Sequence, residues 1–393
     1  MLRRSNVIDG RVLDRLVDER KVRRKNHPQF PDLAIYKYRA GYDFFADDPD
    51  TDIVAQCRGL VFDHRTDKIM ANPPPKFFNH FNHPIGKLEE LFKKSFYVVT
   101  EKLDGSCILL WNYRDVWHFS SLFSFESAQA QRALEIFEAN YRYSSLCPYR
   151  TYVFEVIYPD NQVVINYRTD SRLVYLLSRH TRDGFECDDP PSDFDTPKNY
   201  TDMGLPQLKR EVLSGAAMEG FVVTFFPGEV VHDQGHVDVL RIKYKTRWYF
   251  ERAKLVARIK RDGLVKALFH YYLAKQQVPF IDSAAQSRVD FVEASVNRLC
   301  SAVTNAAMNL YGVDYKRRRW LRTRKQQAKE ILSLNVPVPL KSALFAALDR
   351  KEETVRFQVW KTLVNEEADA LAHVVTEYES ALALLEPFAL PSP

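Results

Sequence analysis

Glycine is the residue that most limits what this chain can fold into. Residues 250–393 hold two, Gly263 and Gly312, whereas the preceding residues hold eleven. A many-stranded sheet needs tight turns, and tight turns lean on glycine. The final third must therefore be built from elements that turn less often. Its apolar residues recur at helical spacing. One series is Leu255, Ile259, Leu264, Ala267 and Leu268. A second is Val289, Val292, Val296, Leu299 and Val303, and a third is Val355, Val359, Leu363, Ala370, Leu371 and Val374. Breaks fall near Pro279, Gly312 and residues 337–339. The pattern predicts an all-helical domain over residues 251–393.

The first 250 residues have another texture. Residues 1–30, polar and basic with the cluster Arg20-Lys21-Val22-Arg23-Arg24-Lys25, read as a helix with a loose end. From there to about Thr246 the chain alternates short β-type runs with turns. Strands are expected at 33–38, 59–63, 96–101, 107–113, 152–158, 173–178, 221–226 and 239–244. A helix is expected over 127–141, and 183–202, rich in Asp, Pro and Ser, reads as a surface loop. Strands mixed with helices but lacking regular βαβ alternation predict an α+β domain built on antiparallel sheet over residues 1–250.

Charge divides along the same boundary. Residues 251–393 carry 22 Lys+Arg against 16 Asp+Glu, and residues 1–250 carry 34 against 35. The net charge of +5 thus comes from the helical third, which suits a polyanion partner as well as an ordinary solvated surface. Five cysteines, odd in number and without a C-x-x-C pair, argue against a disulfide framework or a zinc site and fit a reducing cytoplasm. No apolar run is long enough to span a bilayer, and Met1-Leu2-Arg3-Arg4 leads into polar sequence, so neither a membrane partner nor a signal peptide is expected.

Six stretches of the first 250 residues carry charge where a nucleotide site needs it. Cys57-Arg58-Gly59 leads into an apolar strand, and Lys76 stands beside Phe77 and Phe78. Thr100-Glu101-Lys102-Leu103-Asp104-Gly105-Ser106 puts a lysine at a strand end, before what reads as a hairpin turn. Phe154-Glu155-Val156 and Glu219-Gly220-Phe221 each place one carboxylate in an apolar strand. In Leu240-Arg241-Ile242-Lys243-Tyr244-Lys245 the three cations fall on one strand face, which an anion such as a triphosphate would relieve. Singly, each stretch is as readily an exposed basic face, an edge carboxylate or a solvated lysine. His80-Phe81-Asn82-His83 and the His232 and His236 pair have metal-compatible spacing without a third ligand.

Taken in order, Arg-Gly, Lys-Phe-Phe-Asn, Lys-x-Asp-Gly-Ser, Phe-Glu, Glu-Gly-Phe-Val-Val and Lys-x-Lys-x-x-Trp-Tyr resemble the motif series of the adenylate-forming nucleic-acid ligases. The first two and the last are similar specifically to the phage-type RNA ligase 1 family, over about residues 33–250. The resemblance implies a nucleotidyltransferase domain in which Lys102 attacks the α-phosphate of ATP and becomes lysyl-AMP. It implies that Arg58, Lys76, Phe78, Glu101, Gly105, Glu155 and Gly220 contact the nucleotide. Lys243 and Lys245 would grip its phosphates, and Glu219 would act in catalysis through Mg²⁺, with Mn²⁺ as a substitute. An unperturbed lysine has a pKa of about 10.4, so neighbouring cations and a metal-bound triphosphate are expected to help free Lys102 of its proton.

One stretch departs from the family pattern. Where a short basic segment is usual, this chain has Ser120-Ser121-Leu122-Phe123-Ser124. Past the Lys-x-Lys motif a helical domain replaces the β-barrel of DNA ligases and capping enzymes, which favours an RNA ligase. The dense basic run containing Lys316, Arg317, Arg318, Arg319, Trp320, Arg322 and Arg324 suits phosphate contacts and base stacking, or equally a solvated helix face. The expected protein is a monomeric ligase of single-stranded RNA or tRNA ends acting in RNA repair. The alternatives are a DNA ligase or capping-type enzyme, or a non-enzymatic nucleotide- or RNA-binding protein on the same fold.

Overall fold

The computed structural model describes residues 8–187, 191–226, 239–279, 283–311, 313–314, 319–320 and 323–385. The chain divides into two units, Met1–Phe250 and Glu251–Pro393.

The first unit is built from strands β1 (Val22–Asn26), β2 (Leu33–Tyr38), β3 (Arg58–Asp63), β4 (Lys68–Ala71) and β5 (Phe78–Asn79). After them come β6 (Phe96–Lys102), β7 (Ser106–Tyr113), β8 (Val116–Ser121), β9 (Arg150–Ile157) and β10 (Arg172–His180). The last are β11 (Glu186–Cys187), β12 (Gly220–Phe226) and β13 (Leu240–Lys245). They form three sheets, ordered β1-β2-β3-β4, β11-β10-β9-β7-β8 and β5-β13-β12-β6. All pairings are antiparallel except β5 with β13.

Helices cover the outer faces. Leu13 and Leu16 of α1 (Gly10–Asp18) and Val54 of α2 (Thr51–Gln56) pack with Tyr36, Leu60 and Phe62 of the first sheet. The other face of that sheet gives Leu33, Ile35 and Val61 to a core shared with Leu109, Trp111 and Val153 of the second. Behind the third sheet, α3 (Ile85–Lys94) and α5 (Leu205–Leu213) pack Leu88, Leu208 and Val212 against Phe221, Val223, Phe225 and Ile242. The second sheet is backed by α4 (Ala128–Asn140), whose Ala130, Ala133 and Phe137 meet Ile108, Phe154 and Leu173. Ser127 caps α4, its Oγ accepting from the Ala130 amide at 3.2 Å.

Two local expectations are corrected. The basic run at 20–25 is not helical: α1 ends before it, and residues 22–26 pair antiparallel with β2 as an edge strand. One buried residue, Val22, anchors it, and charged outward positions are what an exposed sheet edge tolerates. The corner at Asp104-Gly105 is not a hairpin either. β6 pairs with β12, whereas β7 pairs with β8 and β9, so the corner carries the chain from the third sheet to the second. Of the expected loop at 183–202, Glu186–Cys187 pairs with β10 as β11, residues 188–190 lie outside the described ones, and residues 191–202 are stitched to two sheets. The Tyr175 amide donates to the Asp195 carbonyl, and the Glu101 amide donates to that of Lys198.

The second unit contains the C-terminal part of α6 (Arg247–Asp262), then α7 (Leu264–Leu273), α8 (Ser283–Tyr311), α9 (Arg324–Ser333), α10 (Val338–Leu348), α11 (Glu352–Leu363) and α12 (Leu371–Ala383). The 29-residue α8 is central and meets α10, α11 and α12. Its Val289, Val292, Val296, Leu299 and Val303 are buried together with Leu344, Val359, Trp360 and Leu371, each such side chain contributing about 1.5–3 kcal/mol. Two short strands, β14 (Val313–Asp314) and β15 (Arg319–Trp320), pair between α8 and α9. Among the described residues no helix is long and apolar enough to cross a membrane.

Candidate active site

The register of the third sheet sets Lys102 of β6 in one row with Gly220 of β12 and Lys245 of β13. Thr100, Val222 and Lys243 form the next row on that face, and Val98, Thr224 and Arg241 a third. Rows two residues apart are separated by about 6.6 Å, giving a basic stripe about 13 Å long. Ile242 and Tyr244 point the other way, into the core. The stripe borders a cleft of about 480 Å³ lined by Val98, Thr100, Lys102, Val222, Thr224, Arg241 and Lys243. Arg58, Phe77, Cys107, Val153, Glu155 and Leu177 complete much of the remaining wall.

Glu219 is the electrostatic centre of this arrangement. Its carboxylate is buried, with Oε2 2.8 Å from Lys102 Nζ and Oε1 2.9 Å from Lys245 Nζ. Burial works to lower the pKa of Lys102, but Glu219 and Glu155 outweigh it and hold the amine above its ordinary value. The cations around Lys102 therefore do not free it of its proton by themselves. A carboxylate shared by two ammonium groups fixes both in place, and this is how a buried charge is tolerated.

Glu155 has a different environment. Its Oε1 accepts from the Gly105 amide at 3.0 Å, and burial pushes its pKa up to about 7 against the attraction of Lys102. The site has no room for a side chain at 105. A Cβ there would stand 2.5 Å from the Val156 carbonyl oxygen and 3.0 Å from Glu155 Cγ. Gly220 is equally constrained, because at φ +145° its Cβ would lie 2.0 Å from the Tyr244 carbonyl oxygen.

Asp104 locks the corner behind Lys102. It is buried, and its Oδ2 accepts from the amides of Val164 and Ile165, both at 2.8 Å. Its Oδ1 accepts from the Tyr249 hydroxyl at 2.7 Å, and its own amide donates to the Tyr167 hydroxyl at 2.9 Å. The Lys-x-Asp-Gly pattern gives no hint of these partners. They lie 60 to 145 positions away, so only the fold brings them together.

The three cations of β13 have separate fates. Arg241 forms a two-point ion pair with Glu186 of β11, and Lys245 is paired with Glu219. Lys243 lies over the Phe77 ring, 4.3 Å from its centroid. Burial and the positive charges of Arg58, Lys102, Lys245 and Lys76 push its pKa down to about 7. This is the position where the stripe most needs an anion.

Of the remaining expected residues, Arg58 lines the cleft with its guanidinium over Phe77 at 5.6 Å, and Glu101 also lines it. Lys76 does not appear in the lining. It sits among aromatic rings, 4.4 Å from the centroid of Tyr38, 5.0 Å from Phe44 and 5.5 Å from Phe78. Leu122, at the usually basic position, packs into the apolar core between the first two sheets, where a Cβ on Gly59 would touch it at 3.2 Å. A lysine there would have to leave that core.

Among the described residues no group of three or more His, Cys, Asp or Glu could hold a metal, and His232 and His236 lie outside them. Lys316, Arg317, Arg318 and Arg322 lie outside them as well. Arg319 and Trp320 form β15. Arg324 pairs with Asp349 at 2.9 Å and covers the Phe345 ring, so its charge has a partner within the helical unit.

Comparison with known proteins gives the family of the chain. A family model described as RNA ligase matches residues 56–252, which span every site residue of the first unit named above except those of the aromatic cluster before β3. A protein of Autographa californica nuclear polyhedrosis virus, provisionally named a bifunctional polynucleotide kinase/RNA ligase, is 28% identical over 273 residues, covering 62% of this chain and 37% of its own. One from Thermovibrio ammonificans, provisionally named an RNA ligase, is 25% identical over 225 residues, covering 54% of this chain and 56% of its own. The chain thus spans little more than half, or less, of the length of these curated relatives. Among solved structures, an archaeal ATP-dependent RNA ligase superposes over 70% of this chain and 72% of its own, with a TM-score of 0.42 and 13% identity. With the family model matched over half of its length and the motif series inside the matched segment, the chain belongs to the RNA ligase 1 family.

Proposed function

We propose that the chain is an ATP-dependent RNA ligase that joins an RNA 5′-phosphate to a 3′-hydroxyl through a lysyl-AMP intermediate. The observation that carries this reading is Lys102 Nζ held at the cleft, 2.8 Å from a buried carboxylate that also holds Lys245. In the first step Lys102 Nζ forms a bond to the α-phosphorus of ATP, the bond to pyrophosphate breaks, and the amine gives up a proton, for which Glu219 is the carboxylate in reach. Lys243 and Lys245 stabilise negative charge on the departing pyrophosphate. In the second step an RNA 5′-phosphate oxygen takes the AMP phosphorus and the bond to Lys102 breaks. In the third a 3′-hydroxyl attacks that RNA phosphate and AMP leaves.

A Mg²⁺ ion, or Mn²⁺ in its place, would be held mainly by phosphate oxygens and water, with Glu219 as the protein carboxylate. Such an ion, when bound, offsets phosphate charge and polarises the α-phosphate. Both oxygens of Glu219 already face ammonium groups, so coordination there would require one lysine to move. The helical unit is the part expected to engage tRNA-like or other single-stranded RNA ends in repair, with the chain acting as a monomer in the cytoplasm.

The test is incubation of nucleotide-stripped protein with α-labelled ATP and Mg²⁺. Covalent label that survives denaturation supports the reading, and its absence overturns it. Offering a 5′-phosphorylated oligoribonucleotide, nicked DNA and GTP in parallel separates an RNA ligase from a DNA ligase or a capping-type enzyme.

A further inference from the structure

We propose that Phe45 and Phe81 form a stacking platform for the bases of a single-stranded RNA end, next to Lys76 and Lys245. Both side chains are largely exposed, at 61% and 59%. Single exposed apolar residues are common and call for no explanation; the surroundings of these two are what set them apart. Phe45 packs on Phe78 of the edge strand β5, with centroids 5.0 Å apart, and Phe78 in turn borders Lys76 Nζ at 5.5 Å. Phe81, just after β5, packs on Phe250 at 5.8 Å, and Phe250 borders Lys245 Nζ at 6.0 Å. Each exposed ring is therefore backed by a second ring that adjoins a lysine of the basic cluster. Aromatic faces for bases combined with cations for phosphates are what single-stranded nucleic acid requires, without regard to base identity.

Phe96 supplies an internal contrast. It is as exposed, at 68%, and it too packs on another ring, Phe226 at 5.6 Å. It lies at the start of β6, six residues from Lys102, and Phe226 lines the cleft, but among the described residues no lysine lies over the ring of Phe96 or of Phe226.

The identity of the polyanion rests on the ligase reading, whereas the platform itself is tested by binding alone. The full chain is titrated into a labelled single-stranded oligoribonucleotide and, separately, into an oligomer with the same backbone but abasic at its terminal positions. The unaltered protein should prefer the base-bearing strand by at least about tenfold. The F45A/F81A double variant should lose that preference while keeping the slope of affinity against salt, because its phosphate contacts are intact. Tryptophan at both positions should restore it, and F96A should leave it unchanged. A preference that persists in F45A/F81A, one that F96A removes equally, or equal binding of both strands by the unaltered protein would overturn the proposal. If lysyl-AMP never forms but the base preference behaves as described, the ligase reading fails and the platform stands.

Discussion

The two units bury very different things. In the helical unit the buried polar side chains among the described residues are Ser295, Gln327 and Thr362, none of them charged. The sheet unit buries the carboxylates of Asp50, Asp63, Asp104, Glu155 and Glu219. A buried carboxylate is unfavourable unless hydrogen-bonded or paired, so each demands a local solution. Asp104 collects three donors, Glu219 holds two ammonium groups, and Glu155 has the Gly105 amide and a pKa near 7. The core of the helical unit is held by apolar packing, with no charged side chain buried among the described residues. The sheet unit holds its buried charges in fixed positions through named partners.

Substitutions should divide along that line. The largest effect is expected for Lys102→Ala, which should abolish covalent labelling by α-labelled ATP yet leave sealing of pre-adenylated RNA measurable. Normal labelling of that variant would move the nucleophile elsewhere. Glu219→Gln removes the charge that Lys102 and Lys245 share, and rapid-quench labelling should slow by about 10²–10³-fold. In the helical unit, Leu299→Ala should lower unfolding free energy by about 2–5 kcal/mol in denaturant titrations while the labelling rate stays within about twofold. A large loss of labelling there would break the contrast between the units.

The smallest effect expected is a pH dependence. Lys243, with a pKa of about 7, is a cation below that pH and neutral above it. Glu155, also near 7, is neutral below and charged above. Both changes make the cleft less positive as pH rises, so the ATP concentration giving half-maximal labelling should increase severalfold from pH 6 to pH 8. Lys243→Arg, which keeps its charge throughout, should flatten much of that rise. An unchanged profile would show that Lys243 does not govern nucleotide affinity.

Much of this was legible in the residues themselves. Strict alternation in Leu240 to Lys245 gave the basic face, and the valine series of α8 gave the helical core, because both depend on local periodicity. Charge in an apolar run marked Glu155, inside β9, and Glu219, just before β12, without distinguishing them. Their different environments depend on which strand lies alongside, and β12 is flanked by β6 and β13, strands more than a hundred residues apart in sequence. The corner at Asp104-Gly105 read as a hairpin because the dipeptide suits one, yet pairing over long range sends the two flanking strands to separate sheets. Tyr167 and Glu186 carried no local signal of any kind.

The clamp on Asp104 has a consequence for how the protein is made. The corner that presents Lys102 is complete only when Val164, Ile165, Tyr167 and Tyr249 have all reached it. On the ribosome, where the chain emerges from its N-terminus, the first sheet can assemble long before that point. Lys102 waits for a tyrosine synthesised almost 150 residues after it. A nascent chain cut short before Tyr249 would carry Lys102 and every strand beside it, with the aspartate that should anchor the corner still short of its last partner.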